Sequence, residues 1–351
     1  MRATMLRSRW LYLSLLAVVV ILYGRVFLYG PPTQLLEDAR QMLEETQAAK
    51  PVVELDVDLK RLQEAIQTNR QAGLWLALWG VMGLGFPVAG IGANLHAVWT
   101  GRIRRLVRYR SRLPHLWSME ELGRLILLLV LMFCLMPFVN TGLIALGWLD
   151  LTDNNLWSLI GMFLLHGLLL LVVWGFASGK GLSLASVFGL SRRKGLLALR
   201  QGAVGYVAVF PWVFGLLWLI GMVCQRFGIQ PPVEPIHELL FVETDPRVVW
   251  LTVVMACVVG PIAEEIFFRG VLYGSLRKHT TRGLAMLMSA GLFSMAHTNA
   301  VGFAPILLLG CFLAYLYERS GSLLSSVTAH ILHNTFLVGL GLTLKAVLWS
   351  G

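Results

Sequence analysis

Apolar positions along this chain fall in long unbroken runs, without the alternation of strands or the one-sided stripes of soluble helices. Runs near 10–29, 73–99, 122–147, 157–177, 201–224, 247–276, 283–299, 301–318 and 323–349 each approach the ~20 residues that carry a helix across a bilayer. Lipid admits only structures that satisfy every backbone group internally, and none of the runs has a period of two, so they predict helices. The expected fold is all-α: a polytopic transmembrane helical bundle of about nine spans. Residues 31–72 are the long polar interruption, acidic and divided by Pro51. Leu59, Leu62 and Ile66, and likewise Leu35, Leu36, Met42 and Leu43, recur at helical spacing, which predicts an acidic extracytoplasmic helical hairpin after the first span. A cap packed on the bundle is the simpler role for it; a docking element for a partner protein is the alternative.

Composition agrees with the pattern. Of 351 residues 57% are hydrophobic and 14% charged, against about a quarter charged in soluble chains. That excludes a cytosolic enzyme, a secreted disulfide scaffold and a disordered tail. All four cysteines fall within the apolar runs, which argues against disulfides and against a cysteine zinc site. The net charge of +10 would suggest nucleic acid in a soluble protein, but its distribution points elsewhere. Eighteen of the 29 basic residues lie before the first run or after the second, fourth, sixth and eighth, while 14 of the 19 acids lie in the opposite connections. The positive-inside rule then predicts a multi-pass protein of the cytoplasmic (inner) membrane, N-terminus cytoplasmic and C-terminus outside, with no need of nucleic acid. No small-x-small cleavage site follows the first run, so it reads as a retained anchor. Residues 1–120 form an N-terminal accessory part of two spans, and residues 121–351 a core.

Charge at membrane depth is expensive, so each ionisable residue inside a span is a candidate for function. The sixth run contains Glu264, Glu265 and Arg269; the seventh ends on Phe293 and His297; the ninth contains His330, His333 and Asn334. Adjacent glutamates on a helix point ~100° apart and must differ in role. Glu265 precedes Arg269 by one turn and can pair with it, which leaves Glu264 as the free carboxylate. Desolvation would raise such a group toward the range of a general base. Counting the helical rise from the basic turns places Glu264 and His297 each ~20 Å from the cytoplasmic end, with His330 and Asn334 within side-chain reach of that layer. His96 and His166 are lone imidazoles of the kind a nearby carbonyl satisfies. The six aspartates all lie in outward loops, which excludes an aspartyl intramembrane protease; neither His-Glu-x-x-His nor Gly-x-Ser-x-Gly occurs.

In combination these residues resemble the CPBP group, which comprises the type II CAAX prenyl endopeptidases and the bacteriocin-processing or immunity proteins also called Abi. Glu264, Glu265 and Arg269 match its Glu-Glu-x-x-x-Arg motif; Phe293 and His297 match Phe-x-x-x-His; His330 and Asn334 match His-x-x-x-Asn. The similarity covers about residues 120–351. The resemblance implies a membrane-embedded endopeptidase, CAAX type II-like, whose cavity opens toward the cytoplasm and whose substrate is a membrane-associated peptide or protein. It also implies that Glu264 and His297 activate a water, that His330 and Asn334 stabilise the oxyanion, and that Glu265, Arg269 and Phe293 give structural support.

The family has been read both as zinc-dependent and as glutamate-type. A metal-free site needs no cofactor and is the favoured expectation; His297, His330 and Glu264 would be the ligands of a zinc ion. A non-catalytic membrane scaffold or regulator on the same fold is the competing function. A proton-coupled transporter using Glu264 as relay is a third, weakened by the lack of inverted repeats.

Overall fold

The computed structural model describes residues 14, 17, 70–102, 117–146, 154–189, 192–229, 239–240, 243–297 and 301–348. Apart from Ser14 and Ala17, the expected first span lies outside the described residues, as does the acidic hairpin up to residue 69. The described chain is an all-α bundle: α1 (Arg70–Trp99), α2 (Met119–Ala145), α3 (Asn154–Ser178), the single turn α4 (Leu184–Val187), α5 (Arg192–Phe227), α6 (Pro246–His279), α7 (Arg282–Ala296), α8 (Phe303–Ser320) and α9 (Leu323–Leu348). Eight of the nine expected runs are therefore helices. Six of them, α1, α3, α5, α6, α8 and α9, are long and apolar enough to cross a membrane. The seventh run is shorter than expected, because α7 stops after 15 residues.

The centre of the bundle is α5, α8 and α9, with α7 laid along α8 and α6 running between α9, α7 and α3. Without a hydrophobic force between helices in lipid, close backbone approach and interhelical hydrogen bonds hold such a bundle together. Gly310 of α8 provides one such approach, since a Cβ there would come within 2.9 Å of the Ala290 side chain of α7. An aromatic cluster of Phe86, Tyr206, Phe210, Phe214 and Phe336 joins α1, α5 and α9 mostly edge to face. α1 is further pinned by Trp79 Nε1 donating to Thr343 Oγ1 (3.0 Å) and by Asn94 Nδ2 donating to the carbonyl of Ala208 (2.8 Å). Its other face, including Leu78, Val81, Leu84, Val88 and Leu95, is exposed and apolar, as a lipid-facing helix requires.

Two polar clusters fix the ends of α6 and so hold its middle. At its start Asp245 accepts from Arg247 N (2.8 Å) as the N-cap, and Pro246 occupies the first turn, where a missing N–H costs nothing. Beside it Glu243 accepts from Asn155 Nδ2 (2.7 Å), and Lys345 Nζ donates to the carbonyls of Leu240 and Glu243 (3.0 Å each). At the other end Tyr273 OH donates to Glu318 (2.7 Å), which also pairs with Arg277 (3.2 Å) and Arg282 (3.4 Å). Glu318, which sequence position suggests is a solvated span end, is in fact fully buried, because three donors converge on it.

Candidate active site

The middle of α6 is not a regular α-helix. Met255–Val259 and Glu265–Tyr273 are π-helical, and a five-residue α segment, Gly260–Glu264, lies between them. π-turns cost hydrogen-bond quality and recur at functional sites. The first has a local cause. Gly260 N–H bonds back five residues to the carbonyl of Met255; the next donor in that register would be residue 261, which is proline and has none. The carbonyl left over is that of Ala256. Asn334 of α9 reaches across and donates to it from Nδ2 at 2.8 Å. A fully buried carbonyl without a partner would cost about 1–3 kcal/mol, and that of Ala256 is partly buried, so the contact has an energetic reason.

Glu265 and Arg269 are both completely buried and pair at 2.7 Å between Oε1 and a guanidinium nitrogen. The other terminal nitrogen of Arg269 donates to the carbonyl of Gly310 (3.3 Å), and the guanidinium lies 4.3 Å from the centre of the Phe293 ring. A buried ion pair needs such additional partners to offset its desolvation. The same Oε1 of Glu265 lies 3.0 Å from His330 Nδ1. A carboxylate can only accept, so Nδ1 carries the proton and Nε2 faces the other way. On that side stands Glu264, with Oε2 3.7 Å from His330 Nε2 and the side chain 30% exposed. Glu264 is thus half-open where Glu265 is sealed.

His297 caps the C-terminal end of α7, and its Nδ1 donates to the Phe293 carbonyl (2.8 Å). The Phe293 ring lies 4.6 Å from the His297 ring and 5.6 Å from that of His330, both edge to face. One phenyl ring thus sets the spacing of both imidazoles while its face takes Arg269. α6, α7 and α9 together bring Glu264, Glu265, Arg269, Phe293, His297, His330 and Asn334 into one cluster. It contains a half-open carboxylate, two imidazoles each held through Nδ1, and a buried ion pair behind them. Such a set can take a proton from water and hold a developing negative charge.

This geometry can be set beside known proteins. The model of the type II CAAX prenyl endopeptidase Rce1-like family matches residues 246–336, which hold α6, α7, α8 and the part of α9 that carries His330 and Asn334. Over those residues the chain is similar to that family. It is also similar to "Putative membrane peptidase YdiL" of Bacillus subtilis (strain 168), 33% identical over 112 residues, which is 32% of this chain and 45% of that one. An uncharacterized 24.3 kDa protein of Escherichia coli is 29% identical over 128 residues, 34% of this chain and 59% of its own. The UPF0177 protein YxdF of Lactococcus lactis subsp. lactis (strain IL1403) is 29% identical over 80 residues, 22% and 44% of the two chains. The chain thus spans about half the length of the curated relatives it matches. No solved structure matches it.

Within the matched segment the donors are not grouped for a catalytic zinc ion. Such an ion takes three protein ligands and leaves a fourth position open. Among the described residues no three His, Cys, Asp or Glu side chains are grouped to hold a metal. His330 gives its Nδ1–H to Glu265 and His297 its Nδ1–H to the Phe293 carbonyl, which leaves each Nε2 as the atom a metal would take, but three donors are needed. His297, His330 and Glu264 do not come together as a ligand set.

Three relationships around the matched segment lie beyond what spacing along one helix reveals. His330 contacts Glu265 as well as Glu264; Asn334 is engaged with Ala256; and His333 turns away from the carboxylates toward the Tyr206 and Phe214 rings, 5.9 and 5.8 Å distant. Pro261 was the available signal for the second. The lone His166 is satisfied by the Met162 carbonyl at 2.7 Å, as its isolation suggests.

Proposed function

We propose that this protein is an intramembrane endopeptidase that hydrolyses a peptide bond of a membrane-associated peptide or protein without a metal ion. The observation that carries the reading is the half-open Glu264 facing His330 Nε2 at 3.7 Å, directly in front of the sealed Glu265–Arg269 pair. The Rce1-like match and the name of the Bacillus relative support the same class.

On this reading Glu264 takes a proton from a water held between its carboxylate and His297 Nε2. The water oxygen bonds to the scissile carbonyl carbon and the carbonyl becomes an oxyanion. The remaining N–H of the Asn334 amide donates to that oxyanion, and so does His330 Nε2 when the ring carries both protons. As the intermediate collapses the C–N bond breaks, and the proton on Glu264 passes to the departing amine. Glu265, Arg269 and Phe293 keep His330 and His297 in place. The active site faces the cytoplasm in the inner membrane, and residues 31–72 cap the bundle, with the docking of a partner protein as their alternative role.

Substrate trapping tests it. The Glu264→Gln variant, expressed in the native membrane and crosslinked, is expected to retain substrates that wild type releases as fragments, read by mass spectrometry. Equal cleavage by purified wild type and Glu264→Gln would sink the assignment. Full cellular function of the Glu264→Gln, His297→Ala and His330→Ala variants would favour the scaffold instead.

A further inference from the structure

The break that Pro261 makes in α6 lies three residues before Glu264, in the helix that delivers both glutamates. Gly260 N–H reaches the Met255 carbonyl, five residues back, and there the π-turn ends because Pro261 has no hydrogen to give the Ala256 carbonyl. The site is tightly built. Gly260 and Pro261 are buried, and a Cβ on Gly260 would stand 2.9 Å from the Met255 carbonyl oxygen and 3.8 Å from Glu264 Oε1. The π-turn and the Glu264 carboxylate therefore share one wall, and a shift in one is felt by the other.

We propose that Asn334 is a positioning residue of the site, whose side-chain amide replaces the N–H that Pro261 lacks and so fixes the π-turn from which Glu264 projects. Its Nδ2 lies 2.8 Å from the Ala256 carbonyl, a backbone-like distance bridging α9 and α6. The amide has two hydrogens and spends one here, so this role is separate from the oxyanion contact and adds to it. Asn334 lies one turn after His330 on α9, so a single helix face both binds the π-turn and presents the imidazole that meets Glu264 and Glu265. The α6–α9 register is thereby set at two adjacent points. The structural half of this inference stands alone; the catalytic half rests on the peptidase reading.

The test is a repair experiment on the full chain in detergent or nanodiscs. Asn334→Ala should lower the thermal midpoint by several degrees and kcat by more than tenfold. Pro261→Ala supplies a backbone N–H in the register that Gly260 sets, so the Pro261→Ala/Asn334→Ala double variant should regain most of the lost midpoint. It should also recover about tenfold in kcat over Asn334→Ala with KM unchanged, leaving only the oxyanion share missing. Asn334→Asp, similar in shape but without the donor, should behave like Asn334→Ala. A double variant no more stable than Asn334→Ala would overturn the repair role; restored stability with kcat still at the Asn334→Ala level would overturn the positioning role. If wild type cleaves nothing, the peptidase reading fails while the thermal arm still decides the repair.

Discussion

His330 Nδ1 lies 3.0 Å from Glu265 Oε1, on the oxygen that also receives Arg269. The imidazole that faces Glu264 is thus oriented from behind by the second glutamate of the pair, and that carboxylate is neutralised from within its own helix. Replacing Glu265 by Gln keeps an acceptor for His330 but strands the Arg269 charge, fully buried, in apolar surroundings. The expected loss of stability is ~3–5 kcal/mol. The double variant Glu265→Gln/Arg269→Met should recover much of that stability, because an absent pair costs less than a broken one, while turnover stays depressed. Thermal unfolding of the single and double variants checks it.

Glu243, outside the spans, is held below the ordinary carboxylate range first by the backbone N–H of Asp245 and then by Asn155. A group with a lowered native pKa stabilises the fold fully above its unfolded value, ~4.3 for Glu, and the contribution disappears as pH falls through the native value. Asp245 is lowered in the same sense by the Arg247 side chain. The thermal midpoint is therefore expected to be flat from neutral pH to about pH 5 and to fall on further acidification. The fall should be shallower in Glu243→Gln. An equally steep fall in that variant would assign it to other groups.

Tyr206 OH and His333 Nδ1 are both sealed from solvent without a hydrogen-bond partner among the described residues, although their rings lie 5.9 Å apart. A buried hydroxyl with nothing to bond is a liability, and removing it without changing the ring's shape is neutral or favourable. Tyr206→Phe is predicted to unfold at the same temperature as wild type or higher. A loss of more than ~1 kcal/mol would mean the hydroxyl has a partner after all.

Chelators provide the test of the metal-free chemistry. With no three-ligand group among the described residues, peptidase activity should survive prolonged 1,10-phenanthroline or EDTA treatment. Zinc-restorable loss would mean that Glu264 and the two Nε2 atoms close on a metal ion, and would overturn the metal-free chemistry.

The fold was legible because a bilayer leaves few solutions. A run of ~20 apolar residues becomes a helix whatever its details, and eight of the nine runs are found as such. The pairing of Glu265 with Arg269 was equally local, one turn along one helix. What spacing could not supply was allegiance between helices. Periodicity puts His330 and Asn334 on a common face of α9, but which of two neighbouring glutamates meets the imidazole depends on the π-turns of α6, and these add residues per turn and rotate everything beyond them. Asn334 reads from its motif as an oxyanion donor, and only the carbonyl freed by Pro261 reveals its second engagement. The burial of Glu318 is hidden from the sequence for a similar reason. Its place near a helix end suggests solvent, whereas Tyr273, Arg277 and Arg282 arrive from two other helices.

α7 extends only 15 residues, or ~22 Å of helix, before it delivers His297 at its tip. A rod of fixed length that starts at the basic turn near Arg282 is a ruler. One residue inserted before Phe293 would carry both that ring and the imidazole ~1.5 Å along the axis and swing them by ~100°, away from Arg269 and His330. The place of the imidazole is thus counted out in residues of the same helix that lays Phe293 against Arg269 and His330.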